Sequence, residues 1–514
     1  MRKHLLIFGL SFVSLPAFAQ YDAACLALIT YAQEAVNLSV TSATHASDRT
    51  FQANPAAPVQ TLPPHCHVEG ELDRRVGVDG VEYAIRFAIN MPDNWNRRFL
   101  FQGGGGLNGR VNEPLGAQVV GELSALARGF AVVSTDSGHE GAGFDASFMA
   151  DQEAMLNFYF LANARVTAMA KPLVEKYYSD TINHAYFVGC STGGREGMIM
   201  AQRFPLLYDG IVSGAPAMRT GLSNLALRWK AVQLNQAAAK DANGLPIAGG
   251  TFSTAEQALI VNAVVQSCDG LDGVSDGLIF NTSACNFDPL TLVCPAGQTQ
   301  NCLSAEKATA LAAAFAGPVD SRGLAVYSRF QFDAGIDDVG GLPGFIVGNS
   351  GPPVGPPVAT MMSQDVDAEF VAATATDEAL GNSTSYTLSS FANNGGKQIF
   401  YHGVSDPWFS AMDTVSYYQN MSAANGGLQT VDKWSRLFLV PGMGHCQGGA
   451  TTLDNFDMLS AIVEWVENGK APAAIIATGR SMPGVSRPLC PHPQYAHYSG
   501  AGASTAAESF TCTP

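Results

Sequence analysis

The run HAYFVGCSTGGREGMIMAQRFP, His184 to Pro205, constrains the fold more than any other part of the chain. A β-rich stretch, AYFV, leads straight into Gly189-Cys190-Ser191-Thr192-Gly193, and a helical segment begins near Gly194. A strand that reverses into a helix over so few residues needs small flanking side chains, and it lifts the hydroxyl at its apex, Ser191, above the edge of a sheet. The segment therefore predicts an α/β architecture with Ser191 presented as a nucleophile, against the blander reading of a structural turn in a glycine-rich chain.

The neighbouring segments follow the same style. VEYAIRFAI, Val81 to Ile89, alternates like a half-exposed strand, and RRFLFQGGGG, Arg97 to Gly106, reads as a buried strand running into a glycine loop. Gly129 to His139 repeats strand then polar turn, Gln152 to Tyr178 reads as helix, and YDGIVSGAP, Tyr208 to Pro216, as another buried strand. Strands alternating with helices predict a mostly parallel sheet covered on both faces. From about Thr220 to Asn394 the chain turns Ala-rich and helical, with four cysteines, an Asp-Gly run and the Pro/Gly-rich stretch GGLPGFIVGNSGPPVGPPV. Strand-and-turn character returns in KQIFYHGVSDPW, Lys397 to Trp408, and SRLFLVPGMGHC, Ser435 to Cys446. The expected organisation is a discontinuous catalytic core, residues 20–219 and 395–514, with residues 220–394 inserted as a lid domain.

The chain begins with Arg2 and Lys3, an apolar run from Leu5 to Leu15 and the small-residue pattern Ala17-Phe18-Ala19, which reads as a secretory signal peptide, residues 1–19. The run is too short to span a bilayer, which takes roughly 20 apolar residues, so no membrane anchor is expected and the mature protein is placed in the periplasm or the medium. A formal charge of −16 over 514 residues disfavours nucleic acid or anionic membranes as partners. Ten cysteines in an exported chain, without zinc-type CxxC spacing, read as disulfides. Short loops are easily closed, which makes Cys268 with Cys285, Cys294 with Cys302, and Cys490 with Cys512 candidate pairs, although spacing does not fix the connectivity.

A serine hydroxyl becomes a useful nucleophile when a base takes its proton. His445 is the candidate among ten histidines, because it lies in the loop after the strand RLFLV, late in the chain. Asp406, directly after the strand KQIFY, is the candidate acid that would hold the imidazole's tautomer; Asp136 is the rival, but its strand precedes the nucleophile. Cys190 precedes Ser191 and Cys446 follows His445. If these two cysteines are bonded, their Cα atoms lie about 5.5–6 Å apart and the serine and histidine must be neighbours. Backbone N–H groups of Thr192 and of Gly106, in the glycine loop, are the expected oxyanion donors. Trp408 and Phe409, beside the acid, could stack on an aromatic acyl group.

Between Cys268 and Ile279 the Asp-Gly run sets three carboxylates, Asp269, Asp272 and Asp276, among glycines, where a tight turn could gather them around a hard cation such as calcium. The bidentate Glu of an EF-hand is missing, and Asp-Gly turns are common on surfaces.

GCSTGGREGM, HGVSDP, PGMGHC, the early GGGG loop, STDSGH and the SGAP strand together resemble the tannase and feruloyl esterase family of secreted α/β-hydrolases, over nearly all of the mature chain. The resemblance implies a serine carboxylic ester hydrolase with an α/β-hydrolase fold and a large inserted lid. It also implies the triad Ser191, Asp406 and His445, with oxyanion donors at Gly106 and Thr192. The disulfides it implies join Cys190 to Cys446, Cys25 to Cys66, Cys268 to Cys285, Cys294 to Cys302 and Cys490 to Cys512. Family lids often hold calcium, which carries over to Asp269, Asp272 and Asp276 with the carbonyls of Val274 and Leu278. Family members that cleave terephthalate monoesters use a Glu just after the nucleophile and a lid Arg; here Thr192 replaces the Glu, and no Arg or Lys occurs between Arg329 and Lys397. The expected substrate is therefore a small neutral aromatic ester of hydroxycinnamate or gallate type, the alternatives being a terephthalate monoester or a non-catalytic binding role on the same scaffold. Nothing in the sequence prescribes an oligomeric state.

Overall fold

The computed structural model describes residues 17–33, 37–52, 59–247, 250–339, 344–347 and 361–514, and the backbone alone for 17–20 and 376–378. Residues 1–16 of the expected leader and most of the Pro/Gly-rich stretch lie outside the described residues; Ala17 to Ala19 open a helix, Ala17–Leu26.

Nine strands form one sheet: β1 (Leu38–Ala46), β2 (His65–Val76), β3 (Glu82–Pro92), β4 (Arg98–Gln102), β5 (Ala131–Thr135), β6 (His184–Cys190), β7 (Gly210–Gly214), β8 (Lys397–Gly403) and β9 (Ser435–Val440). Their spatial order is β1-β2-β3-β5-β4-β6-β7-β8-β9. The pairings from β5 through β9 are all parallel, and β1, β2, β3 and β5 pair antiparallel. Parallel strands need crossovers, and the crossovers cover both faces, which is why these strands are buried along most of their length. Along β4, Phe99 and Phe101 point into one core and Leu100 into the other; along β8, Phe400 faces the first and Ile399 and Tyr401 the second.

The same covering corrects one expectation. β3 is not half-exposed: apart from Glu82 and a partly exposed Arg86 it is buried, because it is paired on both edges, to β2 and β5, and packed on both faces.

Helix α1 (Ala162–Tyr178) and helix α2 (Thr192–Arg203) pack on one face through Val166, Met169 and Leu173 and through Met198 and Ile199. The stretch read as one helix from Gln152 is divided. A short α-helix, Gln152–Leu156, capped by the Asp151 carboxylate at the Ala154 N–H, passes into a π-helical turn, Asn157–Leu161, before α1. Such turns insert an extra residue and re-aim side chains, often at functional sites; here the turn carries Phe158 and Tyr159, which face a cavity.

The segment after β7 contributes α3 (Thr220–Gln236), α4 (Thr254–Cys268), α5 (Ala305–Ala316) and α6 (Val366–Ala373). Leu222, Ile260, Val264, Leu311, Phe315, Phe330 and Phe345 form its own apolar cluster, separate from the two that flank the sheet. Chain returning to the sheet then supplies α7 (Ala411–Ala424) on the α1 face and α8 (Met458–Asn468) on the other, where Ile462 and Trp465 are buried. Five disulfides are formed, joining the five pairs that the family resemblance implies. No described helix is long and apolar enough to cross a membrane.

Candidate active site

The turn after β6 carries Ser191 at φ 64°, ψ −122°. That positive φ is costly for a residue with a Cβ, and backbone hydrogen bonds from both sides hold it: the Ser191 N–H donates to Gly214 O at 3.0 Å, and the Ser191 carbonyl accepts from Arg195 N and Ala217 N at 3.0 and 3.1 Å. The flanking glycines are required by close approach. A Cβ on Gly189 would sit 2.5 Å from the Gly193 carbonyl carbon, and one on Gly193 would sit 2.8 Å from Gly104 O.

His445, in the loop after β9, places Nε2 at 2.8 Å from Ser191 Oγ. Its other nitrogen, Nδ1, is 2.7 Å from Asp406 Oδ2. A proton on Nδ1 shared with the carboxylate leaves Nε2 free to accept from the serine hydroxyl. Asp406 is buried, and its second oxygen accepts from the N–H groups of Trp408 and Phe409 at 2.8 and 3.0 Å. Burial alone would push this carboxyl up, but His445 beside it and hydrogen bonds from His402 and His445 hold it well below the usual carboxylate range. Cys190 and Cys446 are bonded with their Cα atoms 6.0 Å apart.

His402 was not anticipated. It is fully buried on β8, four residues before Asp406, with Nε2 at 3.3 Å from Asp406 Oδ2 and 3.0 Å from Phe409 O, and with Nδ1 at 2.8 Å from Thr414 Oγ1. The available signal was its place in HGVSDP. Asp136, the rival acid, lies elsewhere: its carboxylate accepts from the N–H groups of Arg86 and Gly138, and burial pushes it up to about 7.

Ser191 and His445 open onto a cavity of about 680 Å³. The glycine loop, Gly104 to Gly106, and Thr192 form one wall, and the Thr192 hydroxyl donates to the Gly106 carbonyl, tying the two expected oxyanion donors together. Trp408 and Phe409 both line the cavity, joined by Phe144, Phe158 and Tyr159. Trp408 and Phe144 approach with ring centroids 5.5 Å apart, and Phe409 packs at 5.1 Å from the His445 ring.

Two guanidiniums also line it, one of them, Arg228, from the inserted segment but outside the cation-free stretch between Arg329 and Lys397. Arg228, from α3 at the start of the inserted segment, pairs with Glu369 of α6, and Glu369 also accepts from Gln364 at 2.8 Å. Arg195, on the nucleophile helix α2, is buried and donates to the carbonyls of Gly381 and Phe158 at 3.1 and 3.2 Å. Nothing local in α3 marks the position of Arg228 beside α6.

In the Asp-Gly run the three carboxylates bind backbone: Asp269 accepts from Gly277 N at 3.0 Å, Asp272 from Phe280 N at 2.9 Å and Val274 N at 3.3 Å, and Asp276 from Leu278 N at 3.2 Å. Arg487 donates to Asp276. Among the described residues no three His, Cys, Asp or Glu side chains converge as a ready metal cluster. The donors are of the oxygen type that a hard cation takes, and burial, with the charges of Asp276 and Asp269, pushes Asp272 up to about 7.

The chain matches a family model described as tannase and feruloyl esterase over residues 66–372 and 358–513. It is 38% identical to a mono(2-hydroxyethyl) terephthalate hydrolase of Piscinibacter sakaiensis, over 89% of this chain and 86% of that one. It is 29% identical to feruloyl esterase B of Aspergillus niger, over 82% of each. Among solved structures, feruloyl esterase B from Aspergillus oryzae superposes with a TM-score of 0.78 at 25% identity, covering 96% of this chain and all of that one.

Proposed function

Because the chain belongs to the tannase and feruloyl esterase family of carboxylic ester hydrolases, we propose that it hydrolyses small aromatic esters of hydroxycinnamate or gallate type through an acyl-Ser191 intermediate. The observation that carries this reading is the relay Ser191 Oγ–His445 Nε2–Asp406 at 2.8 and 2.7 Å on the floor of an aromatic-lined cavity. His445 takes the Ser191 proton as Oγ attacks the ester carbonyl, and Asp406 steadies the imidazolium. The carbonyl oxygen gains charge within reach of the Gly106 and Thr192 N–H groups. His445 then protonates the departing alcohol, and a water activated by the same histidine releases the acid and restores the serine. Trp408, Phe409 and Phe144 supply flat apolar walls for the acyl ring. Replacing Ser191 with Ala is expected to abolish turnover of methyl ferulate and methyl gallate; full activity in that variant would overturn the nucleophile assignment.

A second substrate, a terephthalate monoester, is favoured by the 38% identical relative and by the Arg228 guanidinium in the cavity wall. Glu369 neutralises that guanidinium, so a neutral ester remains the better fit, since a free carboxylate would have to displace an existing charge pair.

Asp269, Asp272 and Asp276, with the carbonyls of Val274 and Leu278, would hold a structural calcium ion whose charge offsets that of the three carboxylates. Export through the leader at residues 1–19 is supported by five disulfides, which persist in oxidising compartments.

A further inference from the structure

Glu196 is a buried carboxylate on the nucleophile helix for which the relay has no use. It does not line the cavity, so it touches neither substrate nor reacting atoms. Its two oxygens are both engaged with the opposite wall of the site. Oε2 accepts from the Gly104 N–H at 2.9 Å, and Oε1 accepts from Asn108 Nδ2 at 2.9 Å and from the Ser137 hydroxyl at 3.4 Å. Asn108 also donates to Ser137, and its own N–H donates to Gly105 O at 3.0 Å, so the turn that follows the glycine loop is drawn into the same network. From the other side, the Gly193 N–H donates to Gly104 O at 3.1 Å.

The peptide groups around Gly104 are thus gripped at both ends by α2, the helix that begins at the nucleophile turn. Four glycines in succession have little intrinsic preference for one backbone path. Gly106 takes φ +59°, and no covalent link ties its loop to Ser191. A hydrogen bond from a backbone N–H to an ionised oxygen is stronger than a neutral one, and Glu196 supplies that anchor one helical turn after Ser191. From this geometry we infer that Glu196 is a positioning residue: it fixes the glycine loop, and with it the Gly106 N–H, at the distance from Ser191 where the transition-state oxyanion forms. The inference rests on the proposed acyl-serine reaction.

An anchor of this kind acts on the transition state more than on ground-state binding. Glu196→Gln keeps an oxygen for Gly104 but turns an amide toward the amide of Asn108. In the double variant Glu196→Gln with Asn108→Asp, the new amide at position 196 would donate to a carboxylate at position 108, restoring both the charge and the hydrogen bonds. Kinetics on methyl ferulate, normalised to active-site titre with a fluorophosphonate, are expected to show kcat for Glu196→Gln lowered about 10- to 100-fold with KM within about twofold. Affinity for an aryl trifluoromethyl ketone, which forms a tetrahedral adduct, should fall in proportion, and the double variant should recover most of both. A kcat within twofold of wild type in the single variant would overturn the inference, as would a double variant of normal titre that fails to recover. Should the single variant not fold, kcat of the double variant decides alone: near wild type supports the inference, and a 10-fold or greater loss at normal titre overturns it. Ser191→Ala, assayed alongside, separates this from failure of the reaction itself: an active serine variant removes the nucleophile, whereas an inactive one beside an unaffected Glu196→Gln removes only the anchor.

Discussion

Cys190 and Cys446 are bonded across 256 residues of sequence, and each is the immediate chain neighbour of a relay residue, Ser191 on one side and His445 on the other. The bond spans the distance between the β6 turn and the β9 loop, so the 2.8 Å contact between Oγ and Nε2 is held by a covalent strut as well as by packing. Replacing both cysteines with Ala is expected to cost about 2–5 kcal/mol of stability and to lower kcat about 10- to 100-fold in the protein that remains folded, because small misplacements of a base are amplified in rate. Calorimetry and titre-normalised kinetics read the two effects separately. Unchanged kcat would mean that the loop holds His445 without the strut.

His402 offers a narrower test of the acid. Its Nε2 lies 3.3 Å from the Asp406 oxygen that His445 uses. Replacing it with Phe removes one of the hydrogen bonds that keep the Asp406 carboxyl low, and the expected result is a kcat lowered about 5- to 30-fold, the size of one charge-assisted hydrogen bond of roughly 1–2 kcal/mol, with the acidic limb of the pH–rate profile moved upward. A variant with the wild-type profile would leave Asp406 governed by His445 alone.

Asp333 sets a pH dependence of stability. It is buried, with Oδ2 accepting from the Gly442 N–H at 2.6 Å and from Ser405 Oγ at 2.8 Å, and burial pushes its carboxyl up to about 6. A raised carboxyl binds its proton more tightly in the folded than in the unfolded chain. Its contribution is therefore complete below about pH 4, the unfolded value, and is lost as pH rises toward 6. Asp333→Asn keeps the acceptor and removes the titration, so the slope of melting temperature against pH between about 4 and 6 should become less negative than in wild type. An identical slope in the variant would show that Asp333 ionises without cost.

The motif residues were legible because their chemistry depends on short local patterns. Ser191 needs small neighbours on a sharp turn, and Asp406 and His445 follow strands whose apolar runs are plain in the sequence. The antiparallel run through β1, β2, β3 and β5 was not read, because β3 is covered by elements far away in sequence and its weak alternation is an accident of Glu82 and Arg86. Arg228 and Glu369 were missed because each matters through a partner that the chain brings close only on folding; His402 lies four residues before Asp406, but the motif does not show its ring turned back onto that carboxylate. Glu196 stood in view in GCSTGGREGM, but sequence alone could not show that its carboxylate faces the glycine loop across the site.

Substrate charge preference follows from the Arg228–Glu369 pair in the cavity wall. Wild type should turn over methyl ferulate or methyl gallate at least about 10-fold more efficiently than mono(2-hydroxyethyl) terephthalate. Glu369→Gln releases the guanidinium from its counter-charge and should raise kcat/KM for the monoester anion relative to its neutral methyl ester by about 10-fold, the scale of one charge-assisted contact of roughly 1.5 kcal/mol. An unchanged ratio would place the substrate's distal group away from this pair.

Calcium has its own signature, independent of catalysis. Asp272 is held on its two oxygens by Phe280 and Val274, yet it is pushed up to about 7 by burial and by the charges of Asp276 and Asp269. A divalent ion beside it would favour the ionised form and tie the turn to the α4 end that Cys268 and Cys285 already close. Chelation should lower the melting temperature by several degrees, and added calcium should restore it, with Asp272→Ala insensitive to both. A melt unaffected by chelator, together with no metal by elemental analysis, would instead assign the turn to Arg487, whose guanidinium already meets Asp276 and packs 3.9 Å from the Phe510 ring centre.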